Sequence, residues 1–147
     1  MKSRIITMVA VAMFVATLAA ASVRAQNAGD VAVSIPFEFS AGGKTLPAGD
    51  YRVRRSFDGA YSVMRIENRK DSVSMYLSTH PVQSTIQDGS KLVFTKYGEK
   101  LFLSQVWSAG RSTGVELNKT KSERGLQQEI GRRHVKPETV SVAVRSN

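Results

Sequence analysis

With 147 residues and no cysteine, the chain has room for one domain and no disulfide framework to brace it. Its 21 lysines and arginines against 12 acidic side chains give a formal charge of +9 at pH 7, which suits anionic partners and says nothing about fold. Without cysteine there is neither a thiolate metal site nor a thiol to carry a lipid anchor.

Lys2 and Arg4 open the chain with positive charge, and residues 5–21 are apolar apart from Thr7 and Thr17. The run ends at Val23-Arg24-Ala25-Gln26, with modest side chains at the −3 and −1 positions of a cut between Ala25 and Gln26. This is the three-part layout of a secretory signal. An uncleaved membrane anchor would need about 20 apolar residues, more than this run supplies. Removal of residues 1–25 takes away Lys2, Arg4 and Arg24, leaving 122 residues whose net charge falls from +9 to +6. The expected destination is a bacterial periplasm or the medium beyond it. No second apolar stretch is long enough to keep the mature chain in a membrane as a helix.

Residues 26–30 form a polar leader, and residues 31–147 are expected to be a single β-rich domain. Its core spans 31–107, with a basic helix and a last strand in 117–147. Residues 31–39 alternate, with Val31, Val33, Ile35, Phe37 and Phe39 on one face, so a half-buried strand is predicted. Pro36 lacks a ladder donor and marks that strand as an edge or a bulge. Ala41-Gly42-Gly43-Lys44 and Leu46-Pro47-Ala48-Gly49-Asp50 read as turns. In the second turn Pro47 fixes φ, Gly49 permits the bend and Tyr51 packs inward.

Tyr51 and Val53 alternate with Arg52 and Arg54 in the next strand. Asp58-Gly59 predicts a hairpin into residues 61–67. Residues 72–79 form a further strand, closed by Pro81. Residues 91–97 and 100–107 flank Gly98-Glu99 as a second hairpin. Thr120-Lys121-Ser122-Glu123 fits a capping box and starts a short helix to Gly131, resting on the sheet through Leu126 and Ile130. Val140, Val142 and Val144 alternate in a last strand. The predicted class is all-β: an antiparallel sandwich or compact barrel of about seven strands, with one short C-terminal helix before the last strand.

The segments IPFEFSAGGKTLPAGDYRV (residues 35–53) and KLVFTKYGEKLFLSQVW (residues 91–107) carry a resemblance. The chain resembles a family of short secreted bacterial proteins with a signal peptide, an IPF-x-F strand, a GKTLPAG-x-Y turn and a late YG-x-x-x-F-L hairpin. That resemblance implies export and brings no activity with it.

Catalytic and metal constellations are missing from the pattern. His80 and His134 are the only histidines, 54 residues apart, and no G-x-S-x-G occurs, so neither a serine triad nor a zinc site is indicated. Asp58, Asp71 and Asp88 fall in predicted turns, where a carboxylate caps its own backbone. No spacing marks any two of Glu38, Glu67, Glu99 and Glu116 as a glycosidase pair. No catalytic, cofactor or metal residue is assigned, and no cofactor is expected.

The basic side chains are the remaining feature. Arg52, Arg54 and Arg55 are read as lining the outward face of one strand beside Arg65. Lys119, Lys121, Arg124, Arg132, Arg133 and Lys136 cluster about the helix. Such a face holds anionic envelope polymers or lipids by summed Coulomb attraction. Nucleic acid is not an expected partner, because no aromatic residue lies in the basic tail to stack on bases. Residues 111–147 hold 8 basic and 4 acidic side chains, whereas 10 of the 11 aromatic residues lie between Phe37 and Trp107. The expected function is a non-enzymatic, exported binding or structural module, with oligomeric state left open. A small apolar-ligand carrier, with Trp107, Phe94 and Phe102 lining a barrel pocket, is the alternative, and a hydrolase the third reading.

Overall fold

The computed structural model describes residues 30–58 and 61–144. The expected signal sequence, its cut between Ala25 and Gln26, and Gly59 of the Asp58-Gly59 turn lie outside the described residues. In chain order the elements are β1 (Asp30–Ile35), β2 (Phe39–Ala41), β3 (Lys44–Leu46), β4 (Gly49–Asp58), β5 (Tyr61–Asn68), β6 (Val73–Gln83), β7 (Lys91–Tyr97), β8 (Lys100–Trp107), β9 (Thr113–Leu117), α1 (Lys121–Arg132) and β10 (Glu138–Ala143).

Period-two patterning works as expected in β1, where Val31, Val33 and Ile35 are buried and Ala32 and Ser34 exposed. The strand does not run on to Phe39, however. Pro36 has no N–H to give a ladder, so β1 stops at Ile35 and the chain pairs again only at Phe39, as β2. At β6 the correction runs the other way. The strand continues through Pro81 to Gln83, because pairing with β5 ends at Thr79 and Pro81 has only Val115 of β9 as a registered partner. A strand with one neighbour tolerates a missing donor.

Hydrogen-bonded neighbours follow the order β1-β4-β5-β6-β9-β8, and β8 continues through β7 to β10. All these pairs are antiparallel. One parallel contact, Ser40 of β2 beside Phe102 of β8, makes the sheet mixed. With β7 along one edge, β8 divides its other edge between β9 and β2. The sheet does not close. Its outer strands β1 and β10 lie side by side without a shared ladder, giving a sandwich-like all-β fold. Among the described residues the strands number ten rather than about seven because β2, β3 and β9 are short pieces with little period-two signal of their own.

The core is filled by side chains from both walls. Val53, Met64 and Ile66 meet Leu92, Phe94, Val106 and Val115, all at 1% exposure or less. Phe39 sits among them, its ring centre 5.2 Å from that of Tyr51 and 5.4 Å from that of Phe94, both edge-on. Phe37 caps Phe94 at 5.1 Å. Edge-to-face rings add to their area burial, which itself contributes about 1.5–3 kcal/mol per side chain. Of the three aromatics expected around a barrel pocket, only Phe94 belongs to this cluster. Phe102 meets Tyr97 edge-on at 5.7 Å, and Trp107 lies over Gly114, where an added Cβ would come within 2.7 Å of the indole.

The Leu46–Tyr51 turn has a tertiary explanation. Tyr51 is buried and its hydroxyl donates to the Pro47 carbonyl at 2.7 Å. Gly49 is needed for space, since a Cβ there would meet Asn68 Nδ2 at 2.8 Å. Asn68 is itself 2% exposed and organises the β5–β6 turn. Its Oδ1 accepts from the amides of Lys70 and Asp71, and its Nδ2 donates to the Asp71 carboxylate at 2.7 Å.

Candidate functional site

The pleat of β4 divides the arginines that were expected to share one face. Arg52 and Arg54 point outward, while Arg55 follows Arg54 by one residue and turns inward with Val53. Its Nη2 donates to the hydroxyl of Ser108, at the end of β8. Burial, reinforced by the charge of Arg111, pulls its guanidinium below the usual arginine pKa. Arg55 is therefore not part of the outer surface.

The arginines that remain outside are matched by acids. Arg54 and Arg65 are direct cross-strand partners, so their charges would repel. Asp30 lies 3.0 Å from Arg54 Nε, and Glu67 sits between the two arginines, 3.9 Å from Arg54 Nη2 and 3.1 Å from Arg65 Nη2. Arg65 also donates to Ser74 Oγ at 3.3 Å and stands 5.7 Å from the ring centre of Tyr76. Arg52 is exposed, with Glu67 as its registered neighbour on β5. This patch is a mixed-charge network.

Helix α1 is built differently. Thr120 caps it in extended geometry (φ −74°, ψ 167°), and its hydroxyl accepts from the Glu123 amide at 3.2 Å. Glu123 is the one buried helix residue. Burial pushes its carboxyl pKa up, against the opposing pull of Lys119 and the Thr120 amide. Leu126 and Ile130 continue that stripe and are half-buried. On the opposite side, Lys121, Arg124, Gln128 and Arg132 follow at spacings of three and four and are all exposed. Lys121 and Arg132 make no ion pair among the described residues, and Arg124 donates to the Lys119 carbonyl at 2.8 Å. Lys119 is tied to Gln127 at 3.1 Å, and Arg133 is paired with Glu129 at 2.9 Å. The sequence reading grouped these cations without their stripe, which the helical period of 3.6 would have supplied.

Beneath α1 a cleft of about 210 Å³ is lined by Glu38, Glu99, Lys100 and Leu126, among others. On the outer face, His80 Nε2 lies 3.7 Å from Glu116 Oε2 and its Nδ1 lies 3.1 Å from Asn118 Oδ1. Among the described residues no group of three or more His, Asp or Glu side chains is placed to hold a metal ion. Nor, among them, is any helix long and apolar enough to cross a membrane. Comparison with protein-family models, curated proteins and solved structures gives no match to this chain.

Proposed function

We propose that this is an exported, non-enzymatic module whose helix α1 binds anionic envelope polymers or lipid headgroups. The observation that carries the reading is the exposed stripe Lys121, Arg124 and Arg132, opposite the face that buries Glu123 and half-buries Leu126 and Ile130. A helix fixed by its apolar side holds these cations outward at once, so each adds to one local field. The export step rests on the signal-like residues 1–25. The filled centre around Phe39 and Phe94 occupies the space where a carrier would hold an apolar ligand, so the binding reading is preferred to the carrier.

A surface cation near an anionic membrane contributes about 1 kcal/mol, so three together contribute about 3 kcal/mol, or roughly a hundredfold in affinity. The experiment is cosedimentation of the signal-free protein with phosphatidylglycerol vesicles and with cell-wall polymer at low and high salt. Retention should fall steeply with salt and be lost in a K121Q/R124Q/R132Q variant. Retention that ignores salt, or survives in the triple variant, overturns the reading.

A further inference from the structure

We propose that Arg55, Ser108 and Arg111 form a second site, one that takes a single oxyanion: a phosphate or carboxylate group of a ligand. It lies where β4 meets the turn between β8 and β9. The inward row containing Arg55 continues across the sheet through Met64 and Leu77, which are 0% and 4% exposed. A guanidinium is thus rooted among apolar side chains. Its Nη2 is satisfied by Ser108, itself 7% exposed, but its Nε is buried with no hydrogen-bond partner among the described residues.

The second cation is delivered by the chain itself. The Arg111 amide donates to the Ser108 carbonyl at 3.3 Å, closing a tight turn that brings Arg111 near enough for its charge to act on Arg55. That turn is clamped from outside: Gly110 donates to the Gln87 carbonyl at 2.8 Å, and Gln87 donates back to the Arg111 carbonyl at 3.1 Å. The Arg55 guanidinium and the Arg111 backbone are therefore held in place before any ligand arrives, which lowers the entropy lost on binding.

Among the described residues no carboxylate pairs with either cation of this corner. Arg54 and Arg65, one residue away and one strand away, each have a carboxylate within 3.1 Å. Neither Arg55 nor Arg111 makes an ion pair among the described residues. Arginine stays protonated in a protein, so an incoming anion relieves the cost of two neighbouring positive charges. Guanidinium donors match carboxylate and phosphate oxygens alike, and a free ion or a group on a larger ligand presents the same atoms.

The test is calorimetric titration and thermal unfolding of the folded, signal-free protein with sodium phosphate and with sodium acetate, against sodium chloride at equal ionic strength. Saturable binding with a rise in unfolding temperature is expected from at least one of the two oxyanions and not from chloride. Saturation by phosphate alone assigns a phosphoryl ligand, and saturation by acetate alone a carboxylate. Arg55→Gln and Arg111→Gln should each weaken binding roughly tenfold or more. Without added anion, Arg55→Gln should not lower the unfolding temperature; Arg111→Gln, on an exposed turn, gives a second readout should the first variant fold poorly. The K121Q/R124Q/R132Q protein should bind the oxyanion as the parent does, which separates this site from the helix stripe. If neither oxyanion saturates, or if both arginine variants bind as the parent does, the site does not exist.

Discussion

The sheet and the helix make contrasting use of burial. From β1 to β9 most inward positions carry apolar side chains, and Phe39, Met64, Ile66, Leu92 and Phe94 are essentially sealed from water. Along α1 one residue is buried, and it is the carboxylate Glu123. The sheet thus draws its stability from packed area. The helix depends on its Thr120 cap and a narrow apolar stripe, with its remaining positions free to carry charge. Substitutions in the two regions should differ accordingly: severe in the sheet, and mild for folding but decisive for binding on the helix.

The largest effect should come from Phe39→Ala. Removing a ring wedged between Tyr51 and Phe94 should cost about 3–5 kcal/mol, read as a lower urea midpoint at unchanged slope. Leu126→Ala on the helix should cost clearly less, and equal losses would erase the contrast between the regions. Next comes Gly114→Ala. Its methyl would press on the Trp107 ring, so about 1–3 kcal/mol should be lost together with a change in tryptophan fluorescence. An unaltered spectrum would mean that β9 and β8 are not held at this spacing.

The smallest effect is that of Glu123→Gln. A carboxyl whose pKa is raised in the folded state binds its proton more tightly there than in the unfolded chain. Its stabilising contribution is therefore complete below the ordinary value of 4.5 and is lost as pH rises through the shifted one. Glutamine can still serve a capping box, so the variant should gain less than about 1 kcal/mol at pH 7 and match the parent at pH 4. A less stable variant at pH 7 would show that the carboxylate strengthens the cap by more than its burial costs.

Several of these features could be read without coordinates, and the others fail for physical reasons. The alternation of Val31, Val33 and Ile35 and the capping box at Thr120 are local patterns, and they identify β1 and the start of α1 directly. The inward turn of Arg55 was also legible, because adjacent residues in a strand face opposite ways. The ion pairs of Arg54 and Arg65 were not, since they need Asp30 and Glu67 from other strands. Strand β9 was hidden by Gly114, a poor strand residue that is there to admit Trp107. Asn68 reads as an ordinary turn residue, and its burial depends on Gly49 and Tyr51 from β4. The Arg55–Ser108 pair joins residues 53 positions apart, a separation no local pattern encodes.

The insertion of β9 between β6 and β8 also bears on the time the molecule takes to fold. The hairpins β4–β5 and β7–β8 can form from neighbouring residues, but β6 and β8 are joined only when the later strand β9 pairs with both. The parallel contact of Ser40 with Phe102 closes a longer loop still. Each such closure loses chain entropy before any contact rewards it. A topology of this kind belongs with the high-contact-order domains, which fold in milliseconds to seconds, and the facing edges of β6 and β8 would spend that interval without β9.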